Sequence, residues 1–312
     1  MSKKKVVVAL GHRALGTTMP EQYKATRKTA KAIADLVEAG ADVVISHSNA
    51  PQVGMIHTAM NEFSKEREDY TQAPMSVCSA MSQGYVGYDL QNAIRAELLK
   101  RGIYKTVSTV LTQVTVDPYD ETFYHPTKVI GRYMTAEEAA LEQKKGNYVV
   151  EEPGKGFRRI IASPKPIDIV EIEAINALSN AGQIVIACGG GGIPVLKQGS
   201  NLKGASAVIE KDLVSGLLAD LTDADMLMIL TNEEFVNIKY GTDKETPLKH
   251  ITPEETRVHI ANHEFGETKM LPKIEASINF VSRKEGRTAV ITSIDKAVDA
   301  YRGKTGTVIC EK

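Results

Sequence analysis

The opening of the chain leaves little choice of architecture. An apolar run, Val6–Leu10, enters the glycine-bounded stretch Gly11-His12-Arg13-Ala14-Leu15-Gly16. Thr18 then stands three residues before Glu21, the spacing of a capping box, and Pro20 suits a first helical turn. Ala30, Ile33, Leu36 and Val37 fall on one helical stripe, and Gly40 ends it. Asp42–Ser46 (DVVIS) is a second buried strand, running into the turn His47-Ser48-Asn49-Ala50-Pro51 and another helix. Strand, helix, strand joined by a crossover implies a parallel sheet, and hence an α/β fold. A glycine turn between strand and helix is where many α/β proteins hold phosphate. Here His12 and Arg13 occupy its middle.

The same rhythm returns further on. A helix is expected over about Gly84–Arg101, then one long strand over Thr106–Val116. Between Asp117 and Pro166 the texture changes to prolines and charges, with one short helix capped by Thr135 and Glu138. A hairpin follows, Tyr148–Glu152 and Phe157–Ala162 around Pro153-Gly154-Lys155-Gly156. This stretch reads as an inserted, lid-like lobe within a single domain spanning residues 1–312. Beyond it come a helix over Ile169–Ala181, a strand over Ile184–Cys188, and the turn Gly189-Gly190-Gly191-Gly192-Ile193-Pro194. A helix from Lys211, a strand at Met226–Thr231, a helix at Pro272–Arg283 and late strands at Thr288–Thr292 and Thr307–Cys310 complete the pattern.

Composition excludes several functions. The formal net charge is −1, Trp is absent and no Arg/Lys cluster is interleaved with aromatics, so a nucleic-acid surface is not expected. No apolar stretch is long enough to span a bilayer, and Val6–Leu10 is too short for a signal peptide. Cys78, Cys188 and Cys310 are odd in number and far apart, which implies reduced thiols and a cytoplasmic location.

The motifs that carry chemistry are few. Consecutive glycines at 189–192 expose successive N–H groups and allow positive φ, so they can wrap an anion; a flexible turn is the alternative. Gly303-Lys304-Thr305 lacks the earlier glycine of a P-loop, since Val298 stands there, and a strand follows it. His259 and His263 share a helix face by spacing, but without the glutamate of HExxH or a third ligand they make no metal site. His47 is either functional or a satisfied turn histidine. No Ser/His/Asp or Cys/His arrangement stands out. Lys128, Lys211 and Lys273 lie beside apolar or glycine-rich segments in three separate units. Glycine turns with scattered lysines suit phosphoryl transfer, which is mostly positioning and electrostatics.

Taken together, the segments resemble the carbamate kinase family, within the amino acid kinase fold, over essentially the whole chain. The matching stretches include PQVG (Pro51–Gly54), MSQGYVGYDLQNA (Met81–Ala93), TQVTVD (Thr112–Asp117), PTK (Pro126–Lys128), SPKP (Ser163–Pro166), GGGGIPV (Gly189–Val195), GASAVIEKD (Gly204–Asp212), MLPKIEA (Met270–Ala276) and GKTGT (Gly303–Thr307). The resemblance implies a three-layer αβα sandwich around an open, mostly parallel sheet, a protruding lobe, and a homodimer. It implies ATP + carbamate ⇌ ADP + carbamoyl phosphate, in arginine and nitrogen-compound catabolism, with Mg²⁺ carried by ATP or ADP and no metal held by protein side chains. By position, Lys128, Lys211, Lys273 and Glu210 would be catalytic. Gly11, His12, Arg13, Asn49, Ala50, Gly189, Gly190 and Gly191 would bind substrate or phosphate, and Thr231, Met270 and Lys273 the nucleotide.

The departures from the family pattern concentrate on turns expected to face ligands. The family has Gly-Gly-Asn at Gly11-His12-Arg13, His-Gly-Asn-Gly-Pro at His47–Pro51, aspartate at Glu210 and Gly-Ser-Met at Thr268-Lys269-Met270. A Cβ at a positive-φ glycine costs about 1–2 kcal/mol. A displacement near 1 Å costs about 10²-fold in rate. Arg13 and Lys269 instead add charge that suits phosphate. Two readings follow: a working carbamate kinase with a divergent site, or a relative that binds nucleotide or acyl phosphate, or regulates a partner, without efficient transfer.

Overall fold

A computed structural model describes residues 3–64, 67, 69–239, 241–266 and 270–311. Thr268, Lys269 and the side chain of Arg13 lie outside the described residues. Numbered in chain order, the strands of an eight-stranded sheet lie side by side as β15 (His250–Ile251), β17 (Thr307–Ile309), β16 (Thr288–Ser293), β12 (Met226–Thr231), β1 (Lys5–Leu10), β2 (Asp42–His47), β9 (Ile184–Ile186) and β3 (Val107–Thr109). From β16 to β3 every neighbour is parallel; β17 runs against β16, and β15 follows β17.

Burial on both faces explains the unbroken apolar strands. Val6, Val8 and Leu10 of β1 enter one core with Ile33 of α1 (Met19–Glu38) and Val86, Leu90 and Ile94 of α3 (Met75–Lys100). Val7 and Ala9 enter the other, with Ile175 of α5 (Ile172–Asn180), Val214 and Leu218 of α6 (Lys211–Leu221) and Ile274 and Ile278 of α8 (Leu271–Val281). Alternate residues of one strand thus serve two helical layers, the period-two geometry of a sheet. α1 starts with the expected capping box of Thr18 and Glu21, and Gly40 (φ +94) follows its end.

A second sheet orders β11 (Asn201–Gly204), β10 (Ile193–Gln198), β4 (Gln113–Val116) and β8 (Pro166–Ile169). Within residues 117–166, β5 (Lys128–Met134), β7 (Gly156–Ile161) and β6 (Tyr148–Glu152) form a separate three-stranded sheet. Beside it runs α4 (Ala136–Lys144), capped by Thr135 and Glu138. The expected hairpin is present, with Glu152 opposite Gly156.

Four expectations shift. The stretch from Thr106 to Val116 is not one strand: β3 joins the main sheet and β4 the second, and between them Thr112 gives its N–H to Gln83 Oε1 (2.9 Å) rather than to a neighbouring strand. The helix expected from Ile169 starts at Ile172, since Pro166–Ile169 pairs with β4. The helix expected from Gly84 begins at Met75, behind Pro74 at its N-cap. Ile193 and Pro194 are the first residues of a strand, paired to β4 and β11.

Candidate active site

The register of the parallel strands brings four chain reversals to one edge. Leu10 pairs with His47 on one side and Leu230 on the other, so the turns after β1, β2 and β12 leave the sheet together. Ile45 pairs with Ile186, which brings the turn after β9 beside them. Ligands of open α/β sheets bind at such carboxyl edges.

The turn after β1 holds no left-handed residue until Gly16. Gly11 is extended (φ −72, ψ 166), and His12–Ala14 form one 3-10 turn. His12, Arg13, Ser48 and Ala50 are absent from the positive-φ residues of the described chain, so the expected strain at those four positions is not there. At His12 and Arg13 the physical reason is that a 3-10 turn uses right-handed dihedrals, which any L-residue adopts, and Ala50 likewise opens a right-handed helix, Ala50–Ser64. The glycine the turn requires is Gly16 (φ +73), where a Cβ would stand 2.7 Å from the Glu21 carbonyl carbon.

Left-handed backbone is concentrated after β9. Cys188 (φ 54), Gly190 (φ 67), Gly191 (φ 88) and Gly192 (φ 83) all adopt it. The space their Cβ atoms would fill is taken by protein. At Gly189 a Cβ would lie 2.4 Å from His47 Nε2, at Gly190 2.0 Å from Asn49 Nδ2, and at Gly191 2.2 Å from the Ile209 carbonyl. The glycine turn is therefore interlocked with the turn after β2. Asn49 is buried; its Nδ2 donates to Ser82 Oγ at 2.7 Å, and Ser82 Oγ donates to the Ser79 carbonyl at 2.7 Å. His47 is buried too, and burial pushes its pKa down to about 4, with Lys211 acting the same way. A neutral ring donates from Nδ1 to the Ser48 carbonyl (2.9 Å), which makes His47 a satisfied turn residue.

The lysines meet on a residue the sequence reading passed over. Asp212, the second residue of α6, is 1% exposed. Lys211 Nζ donates to its Oδ1, and Lys273 Nζ, from the first turn of α8, donates to its Oδ2 at 2.7 Å. Burial works to raise the Asp212 carboxyl, but the two ammonium groups outweigh it and hold it below the usual range. Burial lowers Lys211, with Lys273 acting the same way and Asp212 opposing. Ser215 Oγ donates to the Lys211 carbonyl (2.7 Å) and stands 2.6 Å from Ser46 Oγ on β2, which ties the first turn of α6 to the sheet. In the sequence Asp212 carries no more signal than any acid at a helix start, and Glu210 stands two residues before it.

Lys128, the first residue of β5, reaches from the three-stranded sheet and donates to Glu210 Oε2 at the N-cap of α6. A cleft of about 810 Å³ lies there, lined among others by Asn49, Ala50, Lys128, Gly190, Glu210 and Lys211. Gly11, His12, Gly189, Gly191 and Lys273 are not in its described wall. Thr231 ends β12, accepting at Oγ1 from the Glu233 N–H (2.9 Å), next to a smaller hollow of about 430 Å³ between Glu233, Phe235 and Pro247. Met270 stands at the N-cap of α8 against the core. His263 lies beyond α7 (Pro253–Ala261) with φ 53, so it does not share a helix face with His259, which pairs with Glu264. No group of three metal-binding side chains occurs among the described residues.

Comparisons with known proteins agree with this fold. The model of the amino acid kinase family matches residues 4–293. A carbamate kinase-like protein, YqeA of Escherichia coli (strain K12), is 49% identical over 308 residues, 99% of both chains. The carbamate kinase of Clostridium perfringens is 45% identical over 311 residues, 98% of this chain and 99% of its own. The structure of carbamate kinase from Giardia lamblia bound to AMP-PNP superposes over the whole of both chains with a TM-score of 0.93 at 35% identity.

Proposed function

The chain belongs to the carbamate kinase family, and we propose that it transfers a phosphoryl group reversibly between ATP and carbamate, giving ADP and carbamoyl phosphate. The observation that carries this is Asp212 holding two ammonium groups, Lys211 and Lys273, at the starts of two helices on the ligand edge of the sheet. Phosphoryl transfer asks little covalent chemistry of a protein; it asks for fixed positive charge and oriented N–H donors around the moving group.

In this reading Lys211 and Lys273 carry charge toward the phosphates, and Lys128 reaches from the lobe to the transferring group. The Gly189–Gly191 turn cradles phosphate, with Gly11, His12 and Arg13 beside it. Asn49 and Ala50 bound the carbamate end, while Thr231, Met270 and Lys273 bound the nucleotide. Mg²⁺ neutralises phosphate charge when bound. The donor set does not favour holding it by side chains, since both Asp212 oxygens and Glu210 Oε2 already accept lysines. Glu210 acts on the reaction through Lys128. Residues 117–166 form the lobe over the cleft, within one domain. No described helix is long and apolar enough to cross a membrane; a cytoplasmic homodimer is the expected working form.

The test is ATP formation from ADP, Mg²⁺ and carbamoyl phosphate, with Lys128→Ala as control. Turnover of about 1–10³ s⁻¹ that the control loses supports the kinase. A second reading is favoured by the Lys128–Glu210 pair, which engages the ammonium that should meet phosphate. In that reading the protein binds nucleotide or acyl phosphate without efficient transfer. Absence of turnover together with an ADP-induced thermal shift would select it.

A further inference from the structure

The glycine turn is held from outside by a buried side chain of α3 that grips its backbone. Gln83 lies on α3 and is 1% exposed. Its Nε2 donates to the Gly189 carbonyl at 3.0 Å and to the Thr112 carbonyl at 3.1 Å. Its Oε1 accepts the Thr112 N–H at 2.9 Å. Thr112 in turn accepts the Cys188 N–H at its Oγ1 (3.0 Å) and the Ile193 N–H at its carbonyl (2.8 Å). Gln83 therefore holds the turn directly at Gly189 and, through Thr112, at both ends of the stretch from Cys188 to Ile193. A run of four glycines has the largest backbone freedom a chain can have, and each loses more of it on ordering than any other residue. Packing alone fixes such a turn poorly, because it offers no side chains of its own. A buried amide with both N–H groups and its oxygen engaged fixes direction as well as distance.

We propose that Gln83 is a positioning residue for phosphate: it sets the conformation in which the Gly189–Gly192 backbone faces the transferring group. The proposal rests on the kinase reading for its kinetic consequence but not for its structural one. Replacing the amide by the Met side chain removes these hydrogen bonds while keeping an unbranched chain of similar length in the buried site. The turn then samples other conformations, and a displacement near 1 Å at a reacting centre costs about 10²-fold in rate.

Gln91 supplies a matched control on the same helix. Its Oε1 accepts the Thr109 N–H (3.1 Å) and Thr109 Oγ1–H (3.0 Å), so it anchors the neighbouring strand in the same way but away from the glycine turn. The experiment compares Gln83→Met, Gln83→Glu and Gln91→Met with the parent chain. Amide hydrogen exchange of the peptide over residues 186–194, thermal midpoints, and kcat and KM for ATP formation are measured for each. Expected is faster exchange over 186–194 in both Gln83 variants alone. Their kcat falls about 10²-fold, with KM for ADP changed much less. Gln91→Met should lower the thermal midpoint by a comparable amount with kcat retained. Unchanged exchange in Gln83→Met overturns the proposal, as does an equal loss of kcat in Gln91→Met. If the parent chain itself does not turn over, the kinase reading fails while the exchange comparison still decides whether Gln83 sets the turn.

Discussion

The ammonium of Lys273 donates to Oδ2 of Asp212 at 2.7 Å across sixty-one residues of sequence, joining the first turn of α8 to the first turn of α6. The other oxygen of the same carboxylate serves Lys211. One acid therefore sets the separation of two cations that repel one another. Asp212→Asn keeps the shape but turns an N–H group toward an ammonium. Breaking a buried pair on one side costs about 3–5 kcal/mol. Urea unfolding should show a loss of that order. ATP formation should fall by at least about 10²-fold, as expected for misplaced charge at a reacting centre. Retained stability would show that the two lysines do not depend on Asp212.

His47 gives a pH dependence with a definite sign. Its folded pKa is about 4 against an ordinary 6.5, so the unfolded chain takes up a proton first as pH falls. Stability from this residue is full above pH 6.5 and declines toward pH 4, by about 3 kcal/mol in all. Asp212, held below the usual carboxylate range, adds a loss of the same direction at lower pH. Urea midpoints measured from pH 7 to pH 4 should fall in the parent and much less in His47→Gln. Parallel curves would show that His47 is not the group responsible.

Glu210→Asp addresses the ion pair between the start of β5 and the N-cap of α6. The shorter side chain withdraws its carboxylate by one methylene and loosens its hold on Lys128. We expect kcat to rise several-fold, and the rise to vanish in Glu210→Asp with Lys128→Ala. By contrast, His12→Gly, Arg13→Asn, Ser48→Gly and Ala50→Gly relieve no left-handed backbone, so they should not stabilise the fold. A gain in thermal midpoint from those four together would contradict the observed turn geometry.

Gly190→Ala places a Cβ about where Asn49 Nδ2 now sits, 2.0 Å away, on a backbone of φ +67. Turnover should be lost and stability lowered. Adding Asn49→Ala should recover much of the stability, since it empties the contested space, but not the activity. The double-mutant cycle measures the coupling directly.

The fold was legible because its constraints are local and repeated. Val6–Leu10, the Thr18 capping box and Gly40 each specify one event, and together they dictate a parallel pair. The stretch from Thr106 to Val116 misled because two short strands of different sheets follow one another with only Val110, Leu111 and Thr112 between them, and β-patterning cannot show a change of sheet. Lys128, Lys211, Lys273 and the glycine run were legible as residue types suited to phosphate. Asp212 was not, because a buried carboxylate reads as an ordinary helix-start acid until its distant partner Lys273 is placed. The strain expected at His12 and Ala50 failed for a similar reason: a glycine pattern does not reveal which glycine carries the positive φ.

The interlock between the turns after β2 and β9 bears on how this protein can be redesigned. Gly189 faces the His47 ring and Gly190 the Asn49 amide, so each pair occupies one shared volume. A library that randomises positions 12, 13, 48 and 50 explores freely, because no left-handed backbone restricts those positions. A library that randomises 189 or 190 alone will recover almost only glycine. Variants with larger residues there must arise jointly with truncations at 47 or 49, and an acceptor pocket of new shape is reached soonest by diversifying the two turns as a single unit.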